Sequence, residues 1–262
     1  MTTRATREQR RKTPWSDQLA RSHPIFWPVR AFAEPFVGEA EFPSVAKIDA
    51  WLAPYARMRF REQVNRPRRA RHKTASQPYD ESIVVAGEVP TREGSWHDFM
   101  NALVWAAFPT AKRALHARQH AFVKRERMGG EPGRRLPAHD ALAVLDEGGV
   151  IVVSQRPLSD EGAIDAAIAN SSARAVVFGH AIFEAIAIGG PWPLVRAVPL
   201  ALPHDSNDSR LVQGADQALA VLLASERSPT RPQDLPRISL NRVLCTRVGI
   251  DLHSAEPRGR AS

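Results

Sequence analysis

The sequence predicts an α+β fold: a single domain of mixed helices with a short, antiparallel, hairpin-based sheet. Three observations lead there. The chain has 262 residues, 43% of them hydrophobic, which is enough for one real core. Segments of helical and of strand period both occur, without the strand–helix alternation of a parallel sheet. The 21 prolines cut the chain into short elements joined by irregular connections.

Residues 1–12 are polar and Arg-rich and read as a disordered basic tail. From Trp15 to Phe42 the chain is aromatic and Pro-rich, and reads as an extended arm packed on the body. Val45, Ile48, Trp51 and Leu52 have helical spacing, and Ser44 is placed to cap them. Residues 57–73 hold eight basic residues against one Glu, and Pro67 prevents a single long basic helix. A short strand or turn is expected at 82–85.

The clearest helix follows. Ser95 caps it, and Asp98 three residues later gives a Ser-x-x-Asp form of the capping box. Apolar residues at 96, 99, 100, 103, 104 and 107 make a wide stripe. Pro109 either ends or kinks this helix near Phe108 or opens a second one at its first position. Residues 112–127 continue with helical character. Residues 141–145 and 150–153 are apolar and flank Asp146-Glu147-Gly148-Gly149, a hairpin pattern. Residues 160–169 read as a helix, 175–178 as a strand meeting Gly179, 180–188 as a helix closed by Gly189-Gly190, and 211–225 as another helix. The rest is extended or loose, and 254–262 are frayed, which leaves a domain spanning 13–253. Its predicted core includes Trp96, Phe99, Leu103, Val104, Val144, Val152, Val177 and Ile182.

The net charge of +8 is unevenly placed: residues 1–75 carry 16 Lys+Arg against 7 Asp+Glu, whereas 76–262 are nearly balanced. A basic segment attracts nucleic acid or other anions, and Arg interleaved with Tyr55, Phe60 and Tyr79 suits single strands. A solvated linker explains residues 57–73 equally simply, since 31 of the 36 basic residues are Arg throughout the chain. One cysteine, Cys245, excludes an internal disulfide and a thiolate metal site. No secretory signal follows the basic start, and no stretch reaches membrane-spanning length, so a cytoplasmic protein without membrane contact is expected.

Two helix starts carry chemistry. His97 and Asn101 share a face at i, i+4, with Asp98 beside them, and Lys112 falls near that face if the helix continues through Pro109. His180 and Glu184 repeat the i, i+4 spacing after a strand–Gly junction. Each of these groups also has a structural reading, as a cap, a fastening hydrogen bond or a solvated turn. His116 and His120 have the spacing of two zinc ligands, a pattern helices also carry by chance. A phosphate-binding loop, a dinucleotide fingerprint and a serine nucleophile elbow are all missing from the sequence.

Three blocks bear a family resemblance. They are Pro90-Thr91-Arg92 with residues 95–109 and Lys112; residues 140–149; and Phe178-Gly179-His180-Ala181-Ile182-Phe183-Glu184. In this order they resemble the signature of a proteobacterial protein family of unknown function, over roughly residues 75–205. His139 stands where that family carries Arg, and its C-terminal block is not recognisable beyond a remnant at 235–240. The resemblance groups the motifs and implies no activity.

If the blocks converge, they supply a hydrolytic, metal-assisted site for phosphoesters or similar substrates. His97, Asp98, Asn101, His180 and Glu184 are its candidate catalytic residues. Lys112 and Arg92 are candidates to bind substrate, and Asp140, Asp146 and Glu147 to hold Mg²⁺, Mn²⁺ or Zn²⁺. The alternatives are an Arg-rich nucleic-acid-binding module acting through residues 57–73, or an interaction protein whose Trp-rich helix is all core. Convergence of His97, Asn101, Asp146 and His180 on one cleft separates these readings.

Overall fold

The structure is a computed structural model, described for residues 13–63, 79–129, 136–190, 193–203, 207–225 and 227–239. The expected tail at 1–12, the greater part of the basic stretch at 64–73, Cys245 and the frayed 254–262 lie outside the described residues.

Val45, Ile48 and Leu52 bury one face of helix α1 (Val45–Ala56), and the Ser44 hydroxyl caps it by accepting the Lys47 amide at 3.3 Å. Asp49 on this helix accepts the Phe60 amide at 2.7 Å and the Arg59 Nε at 3.0 Å, fastening strand β1 (Arg59–Glu62) to it. Strand β1 pairs in parallel with β2 (Glu88–Thr91), Phe60 opposite Val89. Where a strand or turn is expected at 82–85, the chain instead makes a helical turn, Tyr79–Glu81, that runs into a π-helical turn, Ser82–Ala86. Only Ile83 of the π-helical turn is buried, too little for a sheet face.

Helix α2 (Trp96–Ala107) is buried on every side, with only His97 less than fully covered among its twelve residues. The Ser95 half of the expected capping box is present, its hydroxyl accepting the Asp98 amide at 3.3 Å. The other half is not, because the Asp98 carboxylate turns to Arg92. Pro109 opens a second helix, α3 (Pro109–Gly129), at its first position, where the missing N–H costs nothing. The next two amides of α3 donate to Asp216 from another helix, Thr110 at 3.2 Å and Ala111 at 2.7 Å. A carboxylate borrowed from outside thus serves as the cap. Asp216→Ala is expected to cost about 1–2 kcal/mol, the upper range for a lost cap because both amides are left bare. An unchanged urea midpoint would show that Asp216 does not cap α3.

Helix α4 (Pro137–Gly148) leads directly into strand β3 (Gly149–Ser154). This corrects the hairpin expected over 141–153. The apolar run at 141–145 is one face of a helix, with Ala141, Leu142, Leu145 and Gly148 buried, and Pro137 suits its first turn. The glycines serve close approach instead of a turn. A Cβ on Gly148 would fall 2.2 Å from the Leu194 carbonyl oxygen, and one on Gly149 would fall 2.4 Å from that of Leu145.

Helix α5 (Glu161–Ala169), strand β4 (Ala173–Val177), helix α6 (His180–Ile188), strand β5 (Arg196–Ala201) and helix α7 (Asp208–Ala224) follow. The second sheet has the order β4-β3-β5, with β3 antiparallel to β4 and parallel to β5. The two small sheets and surrounding helices make an α+β fold, as the sequence predicts, although the antiparallel pair is not a hairpin. Strand β3 is buried along its whole length, as a central strand covered on both faces must be.

The aromatic arm packs on the body as expected, but as short helical turns, not an extended strand. Trp15 stacks on Trp96 with ring centroids 5.2 Å apart, and Phe42 meets both. Of the predicted core, Trp96, Phe99, Leu103, Val104, Val152, Val177 and Ile182 are buried. Val144 is only partly covered, because it lies on the flank of a helix and not on the inner face of a strand. Among the described residues, no helix is long and apolar enough to cross a membrane.

Candidate metal centre and its cleft

The close packing that forbids the hairpin builds the site. Gly179, at the junction of β4 and α6, lies against the junction of α4 and β3: its amide donates to the Gly149 carbonyl at 2.8 Å. A Cβ there would meet the Gly149 nitrogen at 2.5 Å and the Glu147 oxygen at 2.6 Å. Glycine thus lets the start of α6 and the end of α4 touch, which places His180 beside Asp146 and Glu147. The sequence motifs on α2 complete the arrangement from the other side.

The result is a cleft of about 300 Å³ whose walls include His97, Asn101, Asp146, Glu147 and His180. The convergence required of a shared site is therefore met.

Two imidazoles meet at its centre. His97 Nε2 and His180 Nε2 lie 3.0 Å apart, with the ring planes nearly perpendicular. The Glu147 carboxylate lies 3.9 Å from His97 Nε2 and 3.7 Å from His180 Nε2. Among the described residues, His97, Glu147 and His180 form a group able to hold a metal ion, with ligand atoms within 4.8 Å of one another. Behind His97, the buried Glu184 accepts its Nδ1–H at 2.9 Å. His180 Nδ1 is buried and has no hydrogen-bond partner among the described residues. Burial holds the His180 imidazole well below its ordinary pKa, helped by the neighbouring His97. Burial also acts against charge on His97, but the hydrogen bond it donates to Glu184 and the nearby Glu147 carboxylate outweigh it and raise that pKa.

A second chain of polar groups forms the floor. Lys112, fully buried, donates to Asn101 Oδ1 at 2.8 Å and to Asp146, and Asn101 Nδ2 donates to the Tyr79 hydroxyl at 3.0 Å. Burial alone would raise the Asp146 carboxyl. The Lys112 ammonium, with His180 and His116 behind it, reverses this and holds it well below the usual carboxylate range. Two acids in the last turn of α4 oppose that helix's dipole, so they depend on these partners.

The remaining candidates fall out differently. Asp98 and Arg92 border the cleft but lock each other. Asp98 takes the Arg92 amide, Nε and Nη2, each at 2.7 Å, and its oxygens are thereby engaged. Glu184 serves His97 from behind and does not line the cleft. Lys112 reaches Asp146 and Asn101 under the floor and likewise is not a lining residue. Asp140 sits in the first turn of α4, where an acid favours the helix dipole, and is not among the cleft's walls.

Of the basic stretch, Arg59 pairs with Asp49 and Arg61 with Glu88, and the positions from 64 onward lie outside the described residues. His116 and His120 gain no third ligand among the described residues. The site does contain a group that sequence reasoning did not assemble: Tyr79, Asp80 and His116 on the wall of the cleft. Its only signal in the sequence is that His116 follows Lys112 at i+4 on α3.

A family model matches residues 64–240, and the chain belongs to that family, the proteins of unknown function designated DUF3025. The match extends past the roughly 75–205 of the sequence resemblance at both ends, and it takes in the segment at 235–240 that reads as a remnant. No curated protein and no solved structure matches the chain.

Proposed function

We propose that His97, His180 and Glu147 bind one divalent transition-metal ion, and that the chain is a metal-dependent hydrolase working in this cleft. One observation carries the reading: two imidazole Nε2 atoms lie at 3.0 Å with the Glu147 carboxylate beside both, and the other nitrogen of His97 is held by Glu184. The acceptor at His97 Nδ1 fixes that ring's tautomer with its lone pair on Nε2. With a lone pair on His180 Nε2 as well, the two point into one space, an arrangement that repels unless a cation or a proton lies between them. Ligands of a tetrahedral zinc ion stand roughly 3.3 Å apart, given metal–nitrogen bonds of about 2.0–2.1 Å. The pair of imidazoles fits that spacing, and the half-exposed Glu147 at 3.7 to 3.9 Å can close on it.

Two His and one carboxylate with an open position form a donor set of catalytic zinc sites, whereas structural sites are closed by four protein ligands. A bound ion would acidify water and polarise a scissile carbonyl or phosphoryl group. The protein's part is to hold that geometry. Glu184 fixes His97, α6 fixes His180, and the chain Asp146–Lys112–Asn101–Tyr79 keeps the floor rigid. A proton shared between His97 and His180 is the competing account of the 3.0 Å contact.

The two accounts separate on metal uptake. Chelator-stripped protein dialysed against Zn²⁺, Mn²⁺ or Co²⁺ should retain about one ion per chain, and His97→Ala should retain none. The loaded protein should hydrolyse activated esters or phosphoesters, and the stripped protein should not. No retained ion from any of the three would leave the shared proton as the explanation.

A further inference from the structure

His116 is nearly fully buried on α3, and it lines the same cleft as the metal ligands. Three contacts fix its ring. Trp105 stacks on it with centroids 5.4 Å apart and planes 9° from parallel, Tyr79 meets it edge-on at 5.6 Å, and Asp80 Oδ1 lies 2.9 Å from Nδ1. The other nitrogen, Nε2, is buried and has no hydrogen-bond partner among the described residues. Leaving a buried acceptor unpaired is unfavourable. Nδ1 thus has a partner that orients the ring, while Nε2 has none among the described residues.

Resting on the metal-hydrolase reading, we infer that the Asp80–His116 dyad is the proton carrier of the reaction, and that the substrate is an ester or amide whose leaving atom needs a proton. Asp80 accepts from Nδ1–H and so leaves the lone pair on Nε2. In the step, water adds its oxygen to the acyl carbon and gives one proton to His116 Nε2. The bond from that carbon to the leaving oxygen or nitrogen breaks, and its electron pair goes to the leaving atom. Nε2–H then gives that atom the proton. His116 returns to its starting tautomer, with Asp80 still accepting from Nδ1–H. Arg92 and Lys112 offset Asp98 and Asp146, and the further carboxylates of Asp80 and Glu147 favour an uncharged acyl group over a phosphate dianion. Trp105 and Tyr79 hold the ring without offering Nε2 a competing partner.

The test uses the full chain loaded with zinc and an acetate ester series running from p-nitrophenyl through phenyl to ethyl. A good leaving group departs as an anion, and a poor one requires the proton. His116→Gln and Asp80→Asn should each lose less than about 5-fold in kcat/KM on p-nitrophenyl acetate. On ethyl acetate each should lose about 10²–10³-fold, within the usual range for general acid–base groups. The double variant should be no slower than His116→Gln alone, since the two residues act as a unit. Zinc content should be unchanged in all three. Asp80→Asn, on a partly exposed turn, keeps the test valid if loss of the His116 ring disturbs packing. Equal losses across the series, or losses that multiply in the double variant, would overturn the dyad while leaving the metal site standing. Zinc-loaded wild type inactive on every ester would overturn the dyad as well. A wild type that binds no zinc marks failure of the metal reading instead, seen in the metal content before any rate is measured.

Discussion

Lys112→Met is expected to destabilise the folded chain by about 3–5 kcal/mol, the cost of breaking a buried ion pair from one side. Lys112 has no exposed surface, and its ammonium is shared between Asp146 and Asn101. Methionine fills most of the space but leaves the Asp146 carboxylate without its main counter-charge, in the turn where the α4 dipole also opposes it. The effect has a pH signature. With Lys112 present, the folded-state pKa of Asp146 is depressed. The stability it contributes is therefore complete above the unfolded value of about 3.9 and is lost as the pH falls through the folded value. Without Lys112, burial raises the same carboxyl, so the penalty is full at neutral pH and shrinks as acid protonates it. Urea unfolding of wild type and Lys112→Met should thus converge toward pH 3. A second substitution, Asp146→Leu, should recover much of the loss at pH 7. A difference below about 1 kcal/mol at neutral pH would mean that water reaches the pair, as at a surface salt bridge.

What could be read from the sequence followed the locality of the signal. Helix α2 was legible because its cap, its stripe and its polar triad lie within twelve residues, and α6 was legible for the same reason. The hairpin over 141–153 was misread because five apolar residues fit a strand or a helix face equally well. The Gly pair, which suggests a turn in sequence, answers to neighbours at 179 and 194 that only the fold reveals. The site divides along the same line. His97, His180 and Glu147 were visible as polar groups beside apolar runs, but their roles were not. Asp98 reads in the sequence as a catalytic candidate, but Arg92, six residues back, engages its carboxylate. Lys112 was placed on the face of Asn101 on the supposition of an unbroken helix. The chain breaks at Phe108, yet the contact forms because α3 restarts at once. The Asp80–His116 pair could not be seen, since its members are 36 residues apart and meet only by tertiary packing.

Glu184→Gln should weaken zinc binding about 10–100-fold, the usual effect of losing a carboxylate behind a metal-bound histidine. Glu184 touches no open space and lies nearly fully buried, with Oε2 2.9 Å from His97 Nδ1. Its charge does two things for His97. It keeps the proton on Nδ1, which leaves Nε2 free to ligate, and it makes that nitrogen a stronger donor. A glutamine can still accept from Nδ1–H through its oxygen, but it carries no charge. Turned the other way, its amide donates to Nδ1 and moves the imidazole proton to Nε2, which blocks the metal. His180→Ala removes a ligand outright and should cost more, about 10³-fold or beyond, since one imidazole and one carboxylate make a poor zinc site. Competition against a chromophoric chelator measures all three proteins on one scale, and thermal unfolding of the stripped forms separates lost affinity from lost fold. The ordering carries the argument: wild type tightest, Glu184→Gln intermediate, His180→Ala weakest. If Glu184→Gln bound zinc as tightly as wild type, the ion would not be held through His97. If neither variant differed from wild type, the 3.0 Å contact between the two imidazoles would belong to a shared proton, and the cleft would do its chemistry without a metal.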